Sequence, residues 1–217
     1  MNTNFKTTTI SLALLVASAF GFASQAAYGA DTMPAMKMAS LDTAPSSKAY
    51  ESAMATMMKG MKATPTGMPD LDFMQGMMPH HQGAIDMAKV ELQFGKDLEI
   101  KSLAEGVIKS QEGEIAVMKD WLAKADQTKL PKVPESGKAN EDAMSTMMKN
   151  MMPSYSGNAD VDFVKGMIPH HQGAIDMGKA ALQFAKDPTV VKLAQDIVTA
   201  QEGEIKFMND WLKRKGK

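Results

Sequence analysis

Apolar side chains recur at steps of three and four residues along most of this chain, a spacing that is typical of amphipathic α-helices. In the stretch after Asp70, two adjacent rows of one helix face collect the apolar residues, and each row also contains a histidine. The rows are Phe73, Met77, His80, Ala84, Met87, Glu91 and Met74, Met78, His81, Ile85, Ala88, Leu92. Gln75, Gln82 and Lys89 fall on the opposite, polar face. Both histidines are therefore predicted to point into the protein.

The same pattern predicts three helices in this part of the chain. The first helix is short and covers about 47–62. The second runs from Asp70 or Asp72 to about Phe94, and either aspartate can cap it. The third helix starts near Asp97. A Pro- and Gly-containing loop at 64–69 separates the first two helices. The turn between the second and third helices is short, so these two should be antiparallel neighbours. The inward positions of the third helix are Ile100, Leu103, Val107, Gln111, Glu114, Met118 and Trp121.

The whole pattern occurs twice. Residues 51–122 align with residues 141–212 without a gap, and 40 of the 72 pairs are identical. We therefore predict repeat 1 over 47–124, a linker over 125–139 and repeat 2 over 140–214, with both repeats packed as one body. Two long helices from each repeat make an all-α, antiparallel four-helix bundle, to which the short Met-rich helices are added.

The N-terminal residues indicate export. Residues 1–30 combine Lys6, a short apolar run and a series of small residues, which is typical of a cleaved secretory signal. Residues 31–46 are predicted to be a flexible segment that contains Met33, Met36 and Met38. Cleavage would change the formal charge from −1 to −2, which favours neither nucleic acid nor a membrane as a partner of the mature chain. A periplasmic or secreted location is expected.

The reactive side chains are scarce and clustered. The chain has 22 Met and no Cys, and all four His lie in two copies of one motif, at His80, His81, His170 and His171. Thioether and imidazole together suit a soft cation such as Cu(I). The alternative interpretation is a buried histidine that is satisfied by a neighbouring Glu or Gln without metal. Methionine, too, is a common core filler, so the short-helix groups are either weak metal ligands or packing residues: Met54, Met57, Met58, Met61, Met144, Met147, Met148 and Met151.

Counting residues outward from the short turn between the second and third helices predicts which residues of the third helix lie beside the histidines. His81 falls near Gln111 and Glu114, and either side chain can accept a hydrogen bond from the imidazole nitrogen that is not on a metal. In repeat 2 the equivalent neighbours are Gln201 and Glu204, with Met208 nearby. Adjacent helical residues point about 100° apart, so His80 and His81 are not expected to share one ion. Pro79 and Pro169 should kink their helices just before the histidines.

Other classes of function are less consistent with these residues. The positions three before each histidine are Met77, Met78, Met167 and Ile168, so the Glu-x-x-His pattern of di-iron bundles is missing from the sequence. No nucleophile with a partner and no phosphate loop occurs, so catalysis is not predicted. Two alternatives stay open, namely a b-type haem electron-transfer bundle and a Met-rich module that holds another exported protein without metal. No organic cofactor is expected in the copper interpretation.

The motif resembles the domain-of-unknown-function-305 family of secreted bacterial proteins. The resemblance rests on Met77-x-Pro-His-His-x-x-Ala-Ile-x-Met87, Leu103-Ala, Gln111-x-x-Glu-Ile-x-x-Met118 and Trp121-Leu, with their counterparts in repeat 2. It implies a ferritin-like four-helix fold and, for Met-rich members, periplasmic binding of copper and silver in metal resistance or delivery, with another copper-handling exported protein as a partner. It further implies a metal-binding role for Met77, His80, His81, Met87, Met118, Met167, His170, His171, Met177 and Met208.

Overall fold

The described part of the chain forms six α-helices, three in each repeat. The computed structural model describes residues 44–62, 64–151 and 154–217. The helices are α1 Pro45–Gly60, α2 Pro69–Phe94, α3 Leu98–Lys124, α4 Pro134–Asn150, α5 Ala159–Phe184 and α6 Pro188–Arg214, and a 3-10 turn, Gln127–Lys129, precedes α4. No strand occurs among the described residues. The predicted all-α class and helical bundle are confirmed. The predicted signal (1–30) and most of the flexible segment (31–46) lie outside the described residues.

Two predicted boundaries differ from the structure. Helix α1 begins at Pro45, so the predicted flexible segment ends earlier than residue 46. Helix α4 begins at Pro134, so its first six residues occupy the end of the predicted linker, 125–139. Both helices start with a proline, which is well accepted in the first turn of a helix because its missing N–H has no partner to lose there. Helices α2 and α5 continue through Pro79 and Pro169.

The helices form three layers. Helices α2 and α5 pack against each other in the middle, α3 packs on α2, and α6 packs on α5, which together make the four-helix bundle. Helices α1 and α4 cover α2 and α5 on the other side. This arrangement follows from the contacts of α2, because His81 contacts α3 whereas Gly83 contacts α1. These positions lie about 200° apart around a helix.

The central pair of helices approaches closely and runs antiparallel. The terminal methyl of Met177 lies over Gly76, and that of Met87 lies over Gly166. A Cβ at position 166 would be 2.9 Å from the Met87 methyl carbon, so the methionine side chain would have to shift to make room for it. The exposed side chains of Gln75, Gln82 and Lys89 confirm the predicted polar face.

Each repeat also caps a turn of the other repeat. The Asp70 carboxylate accepts hydrogen bonds from the backbone N–H groups of Lys186 (3.1 Å) and Asp187 (3.0 Å). Asp160 accepts in the same way from Lys96 and Asp97, both at 2.8 Å. The prediction that Asp70 caps its own helix was therefore wrong, because its side chain turns to the neighbouring repeat. This exchange satisfies partly buried backbone donors of the two short turns.

Asp72, the other predicted cap of α2, is also used differently. Its carboxylate accepts from the backbone N–H and the hydroxyl of Thr66 and from the N–H of Gly67. Gly67 has a φ of 77°, a left-handed conformation that favours glycine. Asp72 therefore closes the loop before the helix, and Met68, which has no capping side chain, occupies the N-cap.

The repeats differ at one buried cluster. Glu91 is fully buried and corresponds to Ala181 in repeat 2. The Tyr50 hydroxyl lies 3.2 Å from Glu91 Oε2 and 3.2 Å from the Ala159 carbonyl oxygen. Gly95 leaves room for the carboxyl group, since a Cβ there would overlap Glu91 Oε1. Burial, reinforced by the nearby Asp160 carboxylate, raises the pKa of Glu91 to about 8.

We predict that Glu91 makes the stability of the protein depend on pH. The folded state keeps this proton up to about pH 8, whereas the unfolded chain releases it near pH 4.5. The free energy of unfolding should therefore fall between these pH values, by at most about 1.4 kcal/mol per pH unit, and Glu91→Gln should remove this contribution. Chemical denaturation of both proteins from pH 4.5 to 9 measures the effect.

Glu105→Gln, at an exposed position of α3, is the control for the loss of one carboxylate. It should follow the wild-type pH profile. Parallel profiles for Glu91→Gln and the wild type would show that Glu91 is charged in the folded protein at neutral pH.

Candidate metal centre

The four histidines lie together in the central layer. All four side chains are fully buried, as the periodic pattern predicted. The rings of His80 and His170 are in contact across the α2–α5 interface, with centroids 3.9 Å apart and planes tilted by 48°. His170 Nε2 donates a hydrogen bond to the carbonyl oxygen of His80 at 3.1 Å. The two repeats therefore meet at their first histidines.

The second histidine of each pair turns away from this contact toward a glutamate. His81 Nε2 lies 2.6 Å from Glu114 Oε2, and His171 Nε2 lies 2.5 Å from Glu204 Oε2. A carboxylate accepts a hydrogen bond from the Nε2–H group. In a neutral imidazole the lone pair then lies on Nδ1. Carboxylates commonly orient metal-binding histidines in this way. Of the two predicted partners of His81, the structure pairs Glu114, and not Gln111, with the imidazole.

Buried polar atoms without a partner mark the same region. Within the part of the chain that the structure describes, they include both ring nitrogens of His80 and the Nδ1 atoms of the other three histidines. The Oε1 atoms of Gln111 and Gln201 belong to the same set. Native proteins leave few buried polar atoms unpaired, so a cluster of them needs an explanation. Nitrogen lone pairs held ready for a cation provide one.

The protonation states fit such a cation. Burial lowers the pKa of His80 and His170 well below the usual range, and the neighbouring imidazoles lower it further. Both rings are therefore neutral at physiological pH. A neutral ring keeps a lone pair that a metal ion can use without first displacing a proton.

The methionines proposed as ligands are buried in the surrounding helices. Met77 and Met167 lie one turn before the histidines and are fully buried, as are Met118 and Met208 on α3 and α6. Met87 and Met177 cross the α2–α5 interface to glycines of the opposite repeat. The structure thus places all six predicted thioethers inside the core, four on the histidine helices α2 and α5 and two on α3 and α6.

The short-helix methionines are less peripheral than the sequence indicated. The side chains of Met57 and Met147 lie against Gly83 and Gly173, two residues after each histidine pair. A Cβ at Gly83 would be 2.6 Å from Met57 Sδ. The other members are buried at Met54, Met61 and Met151, and partly buried at Met58, Met144 and Met148. Helices α1 and α4 therefore bring thioethers over the histidine segments.

The contact between the two repeats was not predicted from the sequence. The rings of His80 and His81 are 6.3 Å apart, and those of His170 and His171 are 6.1 Å apart, so the shortest ring contact lies between repeats. Equivalent residues of two antiparallel, duplicated helices meet where the helices cross. The offset of ninety residues was visible in the sequence, but the crossing point was not.

The donor set also limits the kind of ion. Among the described residues, no three His, Asp or Glu side chains converge as a metal site. A site at this centre would therefore combine imidazole with other donors, and the thioethers buried in the surrounding helices are one such class. Imidazole with thioether fits Cu(I) or Ag(I) better than a hard cation that prefers oxygen ligands.

Comparison with known proteins identifies the family. The family profile described as "Domain of unknown function (DUF305)" matches residues 70–212. This chain belongs to the DUF305 family. The matched range begins at the start of α2 and ends near the end of α6, so it includes the whole four-helix bundle.

Solved structures of several proteins resemble this DUF305 chain. The silver-soaked form of CopM is 36% identical, covers 70% of this chain and 98% of its own, and gives a TM-score of 0.53. Its Cu(I)-bound form is also 36% identical, covers 67% and 96%, and gives a TM-score of 0.52. A DUF305 protein from Streptomyces coelicolor is 28% identical, covers 70% and 95%, and gives a TM-score of 0.54.

One curated relative matches a shorter segment. Uncharacterized protein L153 of Acanthamoeba polyphaga mimivirus is 45% identical over 53 residues, or 24% of this chain. The match spans 35% of the length of the viral protein.

We predict that the His81–Glu114 hydrogen bond contributes to stability even without metal. Replacing Glu114 with Ala removes the acceptor of a buried imidazole N–H, which should lower the free energy of unfolding of the metal-free protein by about 1 to 3 kcal/mol. Glu204→Ala should have a similar effect. Denaturant titration measures both losses.

Glu112→Ala is the matched control, because Glu112 is exposed on the same helix and the substitution changes helix propensity equally. It should change stability by no more than about 0.5 kcal/mol. Equal losses for Glu112→Ala and Glu114→Ala would contradict a specific role for the hydrogen bond.

Proposed function

We propose that this protein binds Cu(I), with Ag(I) as a chemical mimic, and that it buffers, stores or delivers copper. The observation that carries this proposal is the group of buried imidazole nitrogens without hydrogen-bond partners at the α2–α5 crossing. Buried thioethers on the same helices supply the second kind of ligand. The copper- and silver-bound structures of CopM support the choice of ion.

The chemistry of the ligands explains why a soft monovalent ion is favoured. Thioether and neutral imidazole carry no charge, so they bind Cu(I) without releasing protons from thiols or carboxylic acids. The proposed ligands are Met77, His80, His81, Met87, Met118, Met167, His170, His171, Met177 and Met208. Gln111, Glu114, Gln201 and Glu204 would orient or support them. The short-helix methionines would add weaker ligands.

We propose binding and transfer, without a chemical reaction. The histidines are fully buried, and their hydrogen-bond partners are glutamates and a backbone carbonyl, which is not the arrangement of a nucleophile with its base. Exchange of copper with another exported copper-handling protein would connect the site to metal homeostasis and resistance. The N-terminal sequence supports a periplasmic or secreted location. Among the described helices, none is both long and apolar enough to cross a membrane.

The haem alternative has less support from the geometry. A haem with two axial histidines must place its flat macrocycle between the two rings. The rings of His80 and His170 are in direct contact, with centroids only 3.9 Å apart. These two histidines would have to separate before a haem could enter, whereas a single ion needs no such gap.

Anaerobic titration with Cu(I) in the presence of a competing chromogenic chelator tests the proposal. The wild-type protein should withdraw Cu(I) from the chelator, and a variant with all four His replaced by Gln should bind at least about tenfold more weakly. Glutamine at positions 81 and 171 can still donate to the glutamates, and far-UV circular dichroism checks that the variant folds.

Gln82→Ala with Gln172→Ala is the matched control, because these exposed residues follow each histidine pair directly. The control should bind Cu(I) like the wild type. Unchanged affinity in the four-His variant would exclude the central site, and a Soret band in the protein as isolated would favour the haem interpretation.

A further inference from the structure

The route between solvent and the buried histidines is defined by one side chain in each repeat. His81 and His171 have no exposed surface, whereas the side chains of their partners Glu114 and Glu204 are 20% and 25% exposed. Since Nε2 of each of these imidazoles contacts its glutamate directly, the partly exposed glutamate connects the buried ring to the surface.

The other sides of the histidine segment are covered by packed helices. Met57 of α1 fills the space over Gly83 of α2. Gly60, at the end of α1, packs against Pro79 of α2. His170 of α5 covers His80. An ion that approaches from these sides would have to displace a helix, whereas an approach along α3 needs only the movement of one glutamate side chain.

A glycine next to each glutamate adds no side chain to this exposed part of the helix. Apart from its two chain neighbours, a Cβ at Gly113 or Gly203 would meet no heavy atom within 4 Å. Neither glycine has a positive φ, so neither packing nor backbone conformation requires a glycine there. Glycine in the middle of a helix reduces helix stability relative to alanine. Both repeats nevertheless keep it, whereas Gly106, which is equally open, is replaced by Asp196 in repeat 2.

The residues around this glycine are arranged for a cation. The sequence Gln-Glu-Gly-Glu occurs at 111–114 and again at 201–204. The glutamine is buried with its Oε1 unpaired, and the second glutamate contacts histidine. The first glutamate is exposed, and in repeat 2 it also pairs with Lys179 at 3.0 Å. Carboxylates at the surface raise the local concentration of cations and so favour their approach.

From this geometry we infer that copper enters and leaves through two ports, Glu112–Gly113–Glu114 on α3 and Glu202–Gly203–Glu204 on α6. This inference rests on the proposed function, because it assigns the access route to the same centre. The glycine keeps space beside the glutamate, the exposed carboxylate attracts the ion, and Glu114 or Glu204 moves aside from its histidine while the ion passes.

Filling the ports tests the inference. In the double variant Gly113→Leu with Gly203→Leu, a branched side chain occupies the open space beside each glutamate without replacing a ligand. The rate of Cu(I) uptake from a chelator and the rate of its release to a stronger chelator should both fall about tenfold. The equilibrium affinity should stay unchanged, since a port alters both rates equally. Gly106→Leu, two turns away on α3, is the control and should exchange copper like the wild type.

A second measurement needs no metal. Carbethoxylation of His81 and His171 by diethyl pyrocarbonate, followed by mass spectrometry of the metal-free proteins, should slow in the double variant and not in Gly106→Leu. Unchanged rates in the double variant, equal slowing in the control, or a loss of affinity would overturn the inference. If the wild-type protein does not bind Cu(I), the proposed function fails, and the carbethoxylation rates alone decide whether the ports exist.

Discussion

The antiparallel contact between α2 and α5 is the constraint on which the rest of the structure depends. At this contact a glycine on each helix, Gly76 and Gly166, lies under a methionine methyl of the opposite repeat. The same crossing brings His80 against His170. Because both helices are covered on two sides, by α3 and α6 and by α1 and α4, the histidines have no exposed surface. Close packing of two helices thus determines both the position and the environment of the candidate centre.

Duplication has given the two halves interactions that neither repeat can make alone. Asp70 caps the turn between α5 and α6, and Asp160 caps the turn between α2 and α3. The repeats are therefore packed as one compact unit, although each contains its own three helices. The Glu91 cluster shows how far the halves have diverged, since a buried acid replaces an alanine at a single interior position and needs Tyr50 and Gly95 to accommodate it.

Much of this arrangement was predictable from the sequence. The period of the apolar residues gave the six helices and the burial of all four histidines, and counting from the short turn placed Glu114 near His81. Periodicity reports which face of a helix is apolar, but it does not report which neighbouring helix covers that face. The His80–His170 contact, the exchange of Asp70 and Asp160 between repeats and the contact of Met57 with Gly83 all depend on that choice, so they required the structure.

The cost of burying polar groups connects the fold to the proposed function. Unpaired imidazole nitrogens and glutamine oxygens in a packed core reduce stability, and a chain selected for stability alone would replace them with apolar residues. Here the same atoms occur in both repeats, next to glutamates that fix the ring tautomer. A soft cation would satisfy these nitrogens without adding a charged ligand to the core. Under the proposed function, uncharged and flexible thioethers would let such an ion bind and leave without release of a proton.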